Sequence, residues 1–184
     1  MVNSNTIDPV QEFTYLGSIQ SSNSNSTSEY IRRIGLAAGV MKRLDRVWNQ
    51  TNLSISTKIR VYSTCVLAVL LYGSETWTLT QPEWRRLDSF HTRCQRRILH
   101  IRWQDNVTND EVLRRTGLLP ASSIVRKRRL GLFGHVARLA DDVAANQILQ
   151  TCCKAQDGVR PSPDWRRARG RPLTTWIHQI RRDT

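Results

Sequence analysis

Cysteine, lysine, acidic side chains and long apolar runs are all scarce in this chain of 184 residues. Four cysteines, Cys65, Cys94, Cys152 and Cys153, do not make the disulfide framework of a small secreted scaffold, and adjacent Cys152 and Cys153 are poorly placed to bridge each other. A reducing, intracellular setting, nuclear or cytoplasmic, is the expectation. No stretch reaches the roughly eighteen uncharged apolar residues that cross a bilayer, and the first ten residues carry neither the basic nor the apolar region of a secretory signal. A soluble protein with no membrane partner and no cleaved signal is therefore expected. Only four of the 28 basic residues are lysine, and fifteen acidic residues oppose them, leaving a net charge of +13.

The 24 arginines are what is there in excess. A guanidinium pairs bidentately with phosphate and stacks on bases, so an arginine-rich surplus points to a polyanion. The surplus is unevenly placed. Residues 1–80 carry seven basic and five acidic groups, 81–130 twelve and five, 131–153 one and two, and 154–184 eight and three. Two separated basic blocks favour a nucleic-acid partner over a uniformly solubilised surface, and nothing points to a small-molecule substrate.

Hydrophobic periodicity gives the architecture. "EFTYLGSIQS" (12–21) alternates Phe13 and Tyr15 with polar residues and then reaches Gly17, which reads as a short strand ending in a turn. The Ser/Asn run at 21–28 has nothing to bury and leads into a helix with Ser28 as its expected cap. Along that helix Ile31, Ile34, Ala38, Met41 and Leu44 form the expected buried stripe, ending near Trp48. A second helix begins at Ser54 with Ile55, Ile59, Tyr62, Val66, Val69 and Leu70 on one face and Gly73 beyond its end. Between Cys65 and Tyr72 it is apolar all round, which predicts central burial. A third runs from Pro82 through Trp84, Leu87, His91, Cys94, Ile98 and Ile101, with Arg85, Arg86, Arg93, Arg96 and Arg97 on its remaining surface. Weaker helical patterns follow at 108–116, 122–139, 143–151 and 173–182, with an Arg/Pro-rich loop before the last.

Taken in order, "FTYLGS", "IRRIGLAAGVMKRL", "TKIRVYSTCVLAVLLYGSETWTL", "RRLDSFHTRCQRRIL", "RRLGLFGHVARL" and "GRPLTTWIHQI" resemble the C-terminal part of reverse transcriptases from LINE-type non-LTR retrotransposons. The resemblance covers nearly the whole chain. It implies that residues 13–20 are the last palm element, a primer-grip hairpin carrying Tyr15, Leu16 and Gly17, and that 28 to about 100 are the helical thumb and its continuation. The expected fold is mainly α: a thumb-like helical bundle with a β-hairpin remnant of a palm sheet and a basic, partly irregular C-terminal tail. The corresponding divisions are 1–27, 28–104 and 105–184. The expected role is nucleic-acid binding by a fragment of an RNA-directed DNA polymerase, gripping primer-template of RNA or DNA and inactive alone. A free-standing DNA- or RNA-binding module and a non-functional element remnant are the alternatives.

One string tests that reading. "LADD" ends in Asp141 and Asp142 and looks like the Ala-Asp-Asp signature with which such polymerases hold magnesium. In the family that signature precedes the primer grip, whereas here it follows the thumb-like region. Two-metal transfer needs carboxylates converging on ions about 4 Å apart, normally from a strand and a tight hairpin. Asp141 and Asp142 instead sit between two helical patterns, where Asp142 is the expected cap of a helix near Val143. No catalytic residue, resident metal or cofactor is assigned; Mg²⁺ belongs only to the complete polymerase.

Other groupings are weaker. His91, Cys94, His100 and the Cys152/Cys153 pair lack zinc-ligand spacing, and Cys65 and Cys94 read as core residues. His135 has no nucleophile at an identifiable spacing. "RARGRP" is similar to the core of AT-hooks, although Pro172 could equally open the last helix. Trp165, beside arginines, is the candidate for base stacking, while Trp48, Trp77 and Trp84 read as packing. The proposed nucleic-acid contacts are Arg85, Arg86, Arg93, Arg96 and Arg97, then Arg126, Lys127, Arg128 and Arg129, then Arg166, Arg167, Arg169 and Arg171.

Overall fold

Two residues turn the N-terminal segment back on itself. Strands β1 (Glu12–Tyr15) and β2 (Ser18–Ser21) pair antiparallel with Tyr15 opposite Ser18, which leaves Leu16 and Gly17 as the whole turn. Both have positive φ, 47° and 75°, the combination of a type I′ turn, whose twist matches that of the flanking strands. Glycine takes this conformation freely, whereas leucine there is strained by about 1 kcal/mol. Periodicity alone read one strand and a turn here; the hairpin of the expected fold is present, with both strands paired. The computed structural model describes residues 10–21, 26–166 and 174–184, and apart from the hairpin its regular structure is helical.

Helix α1 (Thr27–Arg43) breaks at Leu44 and resumes briefly as α2 (Asp45–Trp48). Its buried residues are Glu29, Tyr30, Arg33, Ala37 and Met41. Of the expected stripe Met41 is buried and Ile34 and Leu44 pack against the core, but Ile31 and Ala38 face solvent, their places taken by Tyr30, Arg33 and Ala37. The cause is a buried polar cluster. Glu29, 2% exposed, accepts the Ile19 backbone N–H at 3.0 Å, Arg32 Nε at 3.0 Å and Arg33 Nε at 2.6 Å. Arg32 and Arg33 both donate onward to the Gly17 carbonyl. Tyr72 donates to the Leu16 carbonyl at 2.9 Å, and the Arg33 guanidinium lies 4.5 Å from the centre of the Tyr72 ring. The hairpin thus docks through its turn, and its apolar Phe13, Tyr15 and Leu16 remain exposed. Nor does Ser28 cap α1: the cap position is Ser26, whose hydroxyl instead accepts the Thr78 N–H at 3.0 Å.

Ser54 does cap the next helix, accepting the Thr57 N–H at 3.2 Å. α3 (Ile55–Val61) continues through a π-helical stretch, Tyr62–Leu67, into α4 (Ala68–Leu70), and Gly73 turns the chain at φ 68°. Tyr62, Val66, Leu67, Leu70 and Leu71 are buried, but Cys65, Ala68 and Tyr72 are exposed. From Cys65 to Tyr72 the helix is consequently buried on one side and open on the other, and Cys65 is not a core residue. α5 (Gln81–Ile98) buries Leu87, His91, Cys94 and Ile98 as its spacing predicts, and Trp48 and Trp77 complete the core.

The remaining helices are α6 (Asn109–Thr116), α7 (Ala121–Ala137), α8 (Ala144–Gln156) and α9 (Trp176–Asp183). α7 lies against α5 and against the turn Ser74–Thr76, while α8 and α9 pack on α7 and on each other. Gln179 ties α9 back to the centre, donating to the Leu79 carbonyl at 2.5 Å. Trp176 donates to the Glu75 carbonyl at 2.8 Å. Replacing Glu29 by alanine strands the buried Arg33 and should cost about 3 kcal/mol. Chemical denaturation should show that loss, and limited proteolysis should show faster cleavage around residues 10–27. Unchanged stability and cleavage would mean that the cluster does not hold the hairpin.

Candidate nucleic-acid interface

α5 is two-faced because its sequence is. Thr80 opens it, with its backbone N–H donating to Glu83 Oε2 at 2.7 Å, and Pro82 occupies the first turn. Thr27 on α1 donates to Glu83 Oε1 at 2.6 Å, so the same carboxylate fixes α5 against α1. Burial works to raise the Glu83 pKa, but these hydrogen bonds outweigh it and hold the carboxyl below its ordinary value.

The inward face carries a closed polar chain. Tyr62 Oη and His91 Nδ1 are 2.7 Å apart, and His91 Nε2 is 3.1 Å from the Leu119 carbonyl. A carbonyl only accepts, so Nε2 holds the proton and Nδ1 accepts from Tyr62. The ring is fully buried and neutral, and desolvation lowers its pKa against smaller opposing effects of Leu119 and Asp88. Burial also pushes the Cys94 thiol up to about 12, with Arg93 and Arg97 pulling weakly the other way. At that pKa the thiol is no nucleophile near neutrality.

The outward face carries the arginines. Arg86, Arg93 and Arg97 are spaced by seven and four, which places them along one side of the helix, and all three are exposed. Among the described residues the guanidinium groups of Arg85, Arg86 and Arg93 make no hydrogen bond or ion pair. Arg97 pairs with the half-exposed Asp45 at 2.6 Å. Arg96 is committed to structure instead, donating to the Val107 carbonyl at 2.6 Å and to Asn109 at 2.9 Å.

The "RKRR" run on α7 divides the same way. Arg126 is exposed and donates to the Asp183 carbonyl, Lys127 is exposed, and Arg128 reaches the Leu71 carbonyl at 2.6 Å. Arg129 turns inward, 2% exposed, donating to Gln179 Oε1 at 2.5 Å and lying 3.1 Å from Asp183. Four consecutive residues of a helix span all its faces, so they cannot share one track. Arg166 is exposed beside Trp165, whereas Arg167, Arg169, Arg171 and the whole "RARGRP" string lie outside the described residues. α9 opens at Trp176 behind a Thr175 cap, so Pro172 does not start it. Tyr15, Leu16 and Gly17 stand together at the hairpin tip, with Leu16 74% exposed.

Several residues escaped the periodicity. Trp103, 84% exposed on the turn Trp103–Asp105 and next to Arg102, is the most solvent-facing of the large apolar side chains among the described residues. Its position one residue after an arginine was a usable signal. Arg182, exposed on α9, had none, because its neighbours come from distant segments.

Asp141 and Asp142 are exposed. Asp141 Oδ1 accepts from Asn146 at 3.3 Å and from Gln150 at 3.0 Å. α8 is capped at Val143 without a side-chain hydrogen bond, so Asp142 does not cap it as expected. Among the described residues no three His, Cys, Asp or Glu side chains converge as metal ligands.

Against known proteins, the chain is 29% identical over 185 aligned residues to an uncharacterised transposon-derived protein of Caenorhabditis elegans. The alignment takes in 96% of this chain and 61% of that relative's length. No protein-family model matches the chain, and no solved structure does. The likeness is consistent with a transposable-element origin.

The neutral His91 gives a pH dependence. Its folded-state pKa is lowered, so below the unfolded value of about 6.5 the unfolded chain binds a proton that the folded chain refuses, and stability falls as pH drops. Denaturation midpoints measured across that range should decline toward acid. In His91→Gln the decline should be smaller, on a lower baseline; an identical decline would assign the effect to other groups.

Proposed function

We propose that this chain is a nucleic-acid-binding helical segment of retroelement origin, equivalent to the primer grip, thumb and basic C-terminal region of a LINE-type reverse transcriptase. The observation that carries the reading is the α5 surface, where Arg86 and Arg93 stand exposed on one side without a partner among the described residues, backed by the apolar core. Unpaired guanidinium groups on a fixed helix are what a phosphate backbone requires, and they carry no base-specific information. The transposon-derived relative supports the origin. The exposed hairpin tip at Tyr15 and Leu16 fits a segment that meets primer beside a palm sheet.

The chain supplies binding and positioning in this reading, not chemistry. Polymerisation would need carboxylate-held Mg²⁺ to activate the attacking hydroxyl and stabilise the leaving phosphate, and Asp141 with Asp142 does not provide it. The purified chain should therefore bind a primer-template without extending it. Its affinity should fall linearly on a log-log salt plot, by close to one unit of slope per phosphate contacted on duplex. Arg86→Gln with Arg93→Gln should flatten that slope by about two. An unchanged slope and affinity would place the binding face elsewhere. Primer extension abolished by Asp141→Asn with Asp142→Asn would overturn the non-catalytic assignment.

A further inference from the structure

α5, the start of α7 and α9 enclose a polar cleft of about 320 Å³. Four guanidinium groups from these three helices line it, those of Arg85, Arg126, Arg129 and Arg182, against the carboxylates of Asp88 and Asp183. The sequence separates these residues by up to a hundred positions, and only the packing of α9 on α7 brings them together.

The two carboxylates are already engaged. Asp88 accepts the Ser122 backbone N–H at 2.9 Å and the Ser122 hydroxyl at 2.7 Å, so it serves as the cap of α7. Asp183 is ion-paired, 3.1 Å from Arg129 and 3.8 Å from Arg126, although its Oδ2 is buried without a hydrogen-bond partner. Four cations against two anions leave a surplus of two positive charges in a concave, partly desolvated space. Arg85 on α5 and Arg182 on α9 have no acidic partner among the described residues. At the floor, Arg129 Nε is buried without a hydrogen-bond partner, and the guanidinium is held 5.2 Å from the centre of the Trp84 ring. A buried donor left unmade is costly unless something fills it.

We infer that this cleft is a binding site for a terminal phosphomonoester, the phosphorylated end of a nucleic-acid strand. A phosphomonoester carries close to two negative charges at neutral pH and offers three acceptor oxygens. An internal phosphodiester carries one charge and two free oxygens, and is better served by the open row of Arg86 and Arg93. The inference rests on the nucleic-acid reading, because those exposed arginines on the same helix would take the phosphates that follow the end.

Affinity of the full chain for one short thymidine oligonucleotide, carrying a 5′-phosphate, a 3′-phosphate or only hydroxyl ends, tests this directly. One phosphorylated form should bind about tenfold tighter than the hydroxyl form. Which form gains identifies the end that is held. Arg85→Gln with Arg182→Gln, both exposed positions, should remove that preference while circular dichroism stays that of the parent. Equal binding of all three forms would overturn the cleft assignment and leave the backbone reading standing; no binding of any form would overturn the cleft assignment, and the nucleic-acid reading with it if a primer-template duplex also fails to bind. Thymidine monophosphate that competes as strongly as the phosphorylated strand would make a free nucleotide the ligand and overturn the strand-end assignment. So would tighter binding of a phosphoserine peptide.

Discussion

The carboxylate of Glu29 is the point on which the N-terminal half is organised. It is almost wholly removed from water, yet it collects a backbone N–H from β2 and guanidinium groups from two successive arginines of its own helix. Burial alone would raise its pKa; the donors around it reverse that and keep it ionised. A buried charge with this many partners is tolerated, and one partner fewer is not, which makes the arrangement specific more than strong. It fixes which face of α1 is inward, passes the hairpin's turn carbonyls to Arg32, Arg33 and Tyr72, and so sets where the strands lie against the helices.

The C-terminal half is organised by a similar device with the signs exchanged. Arg129 is buried on α7, and Gln179 and Asp183 come to it from α9, while Gln179 also reaches the Leu79 carbonyl. The last helix is therefore fastened to the segment that precedes α5, a hundred positions away. Arginine in this protein has two occupations, as exposed charge and as interior connector. Composition counts both alike.

Periodicity read α5 correctly because its apolar face is the one that packs, and it located α3 by Ser54, whose capping role is local. It placed α1 but missed part of its buried face, because Tyr30 and Arg33 are buried beside Glu29, a tertiary demand that no window on the helix contains. Asp88 capping α7 is invisible for the same reason: donor and carboxylate are 34 positions apart. The exposed arginines of α5 follow from the sequence by spacing alone, whereas the cleft completed by Arg182 depends on where α9 comes to rest. Cys65 looked interior because its neighbours are apolar, but α1 covers only one side of that helix.

The π-helical stretch Tyr62–Leu67 gives that helix a further property. A turn closed between residues five apart holds one residue more than an α turn, so everything after it is rotated by about 100° relative to everything before. The part before the stretch faces α5 and α6, and the part after it faces α1. A single continuous rod thereby serves as a corner post between two walls. Were one residue lost from this stretch, the rod would straighten in phase and could satisfy only one of the walls at a time.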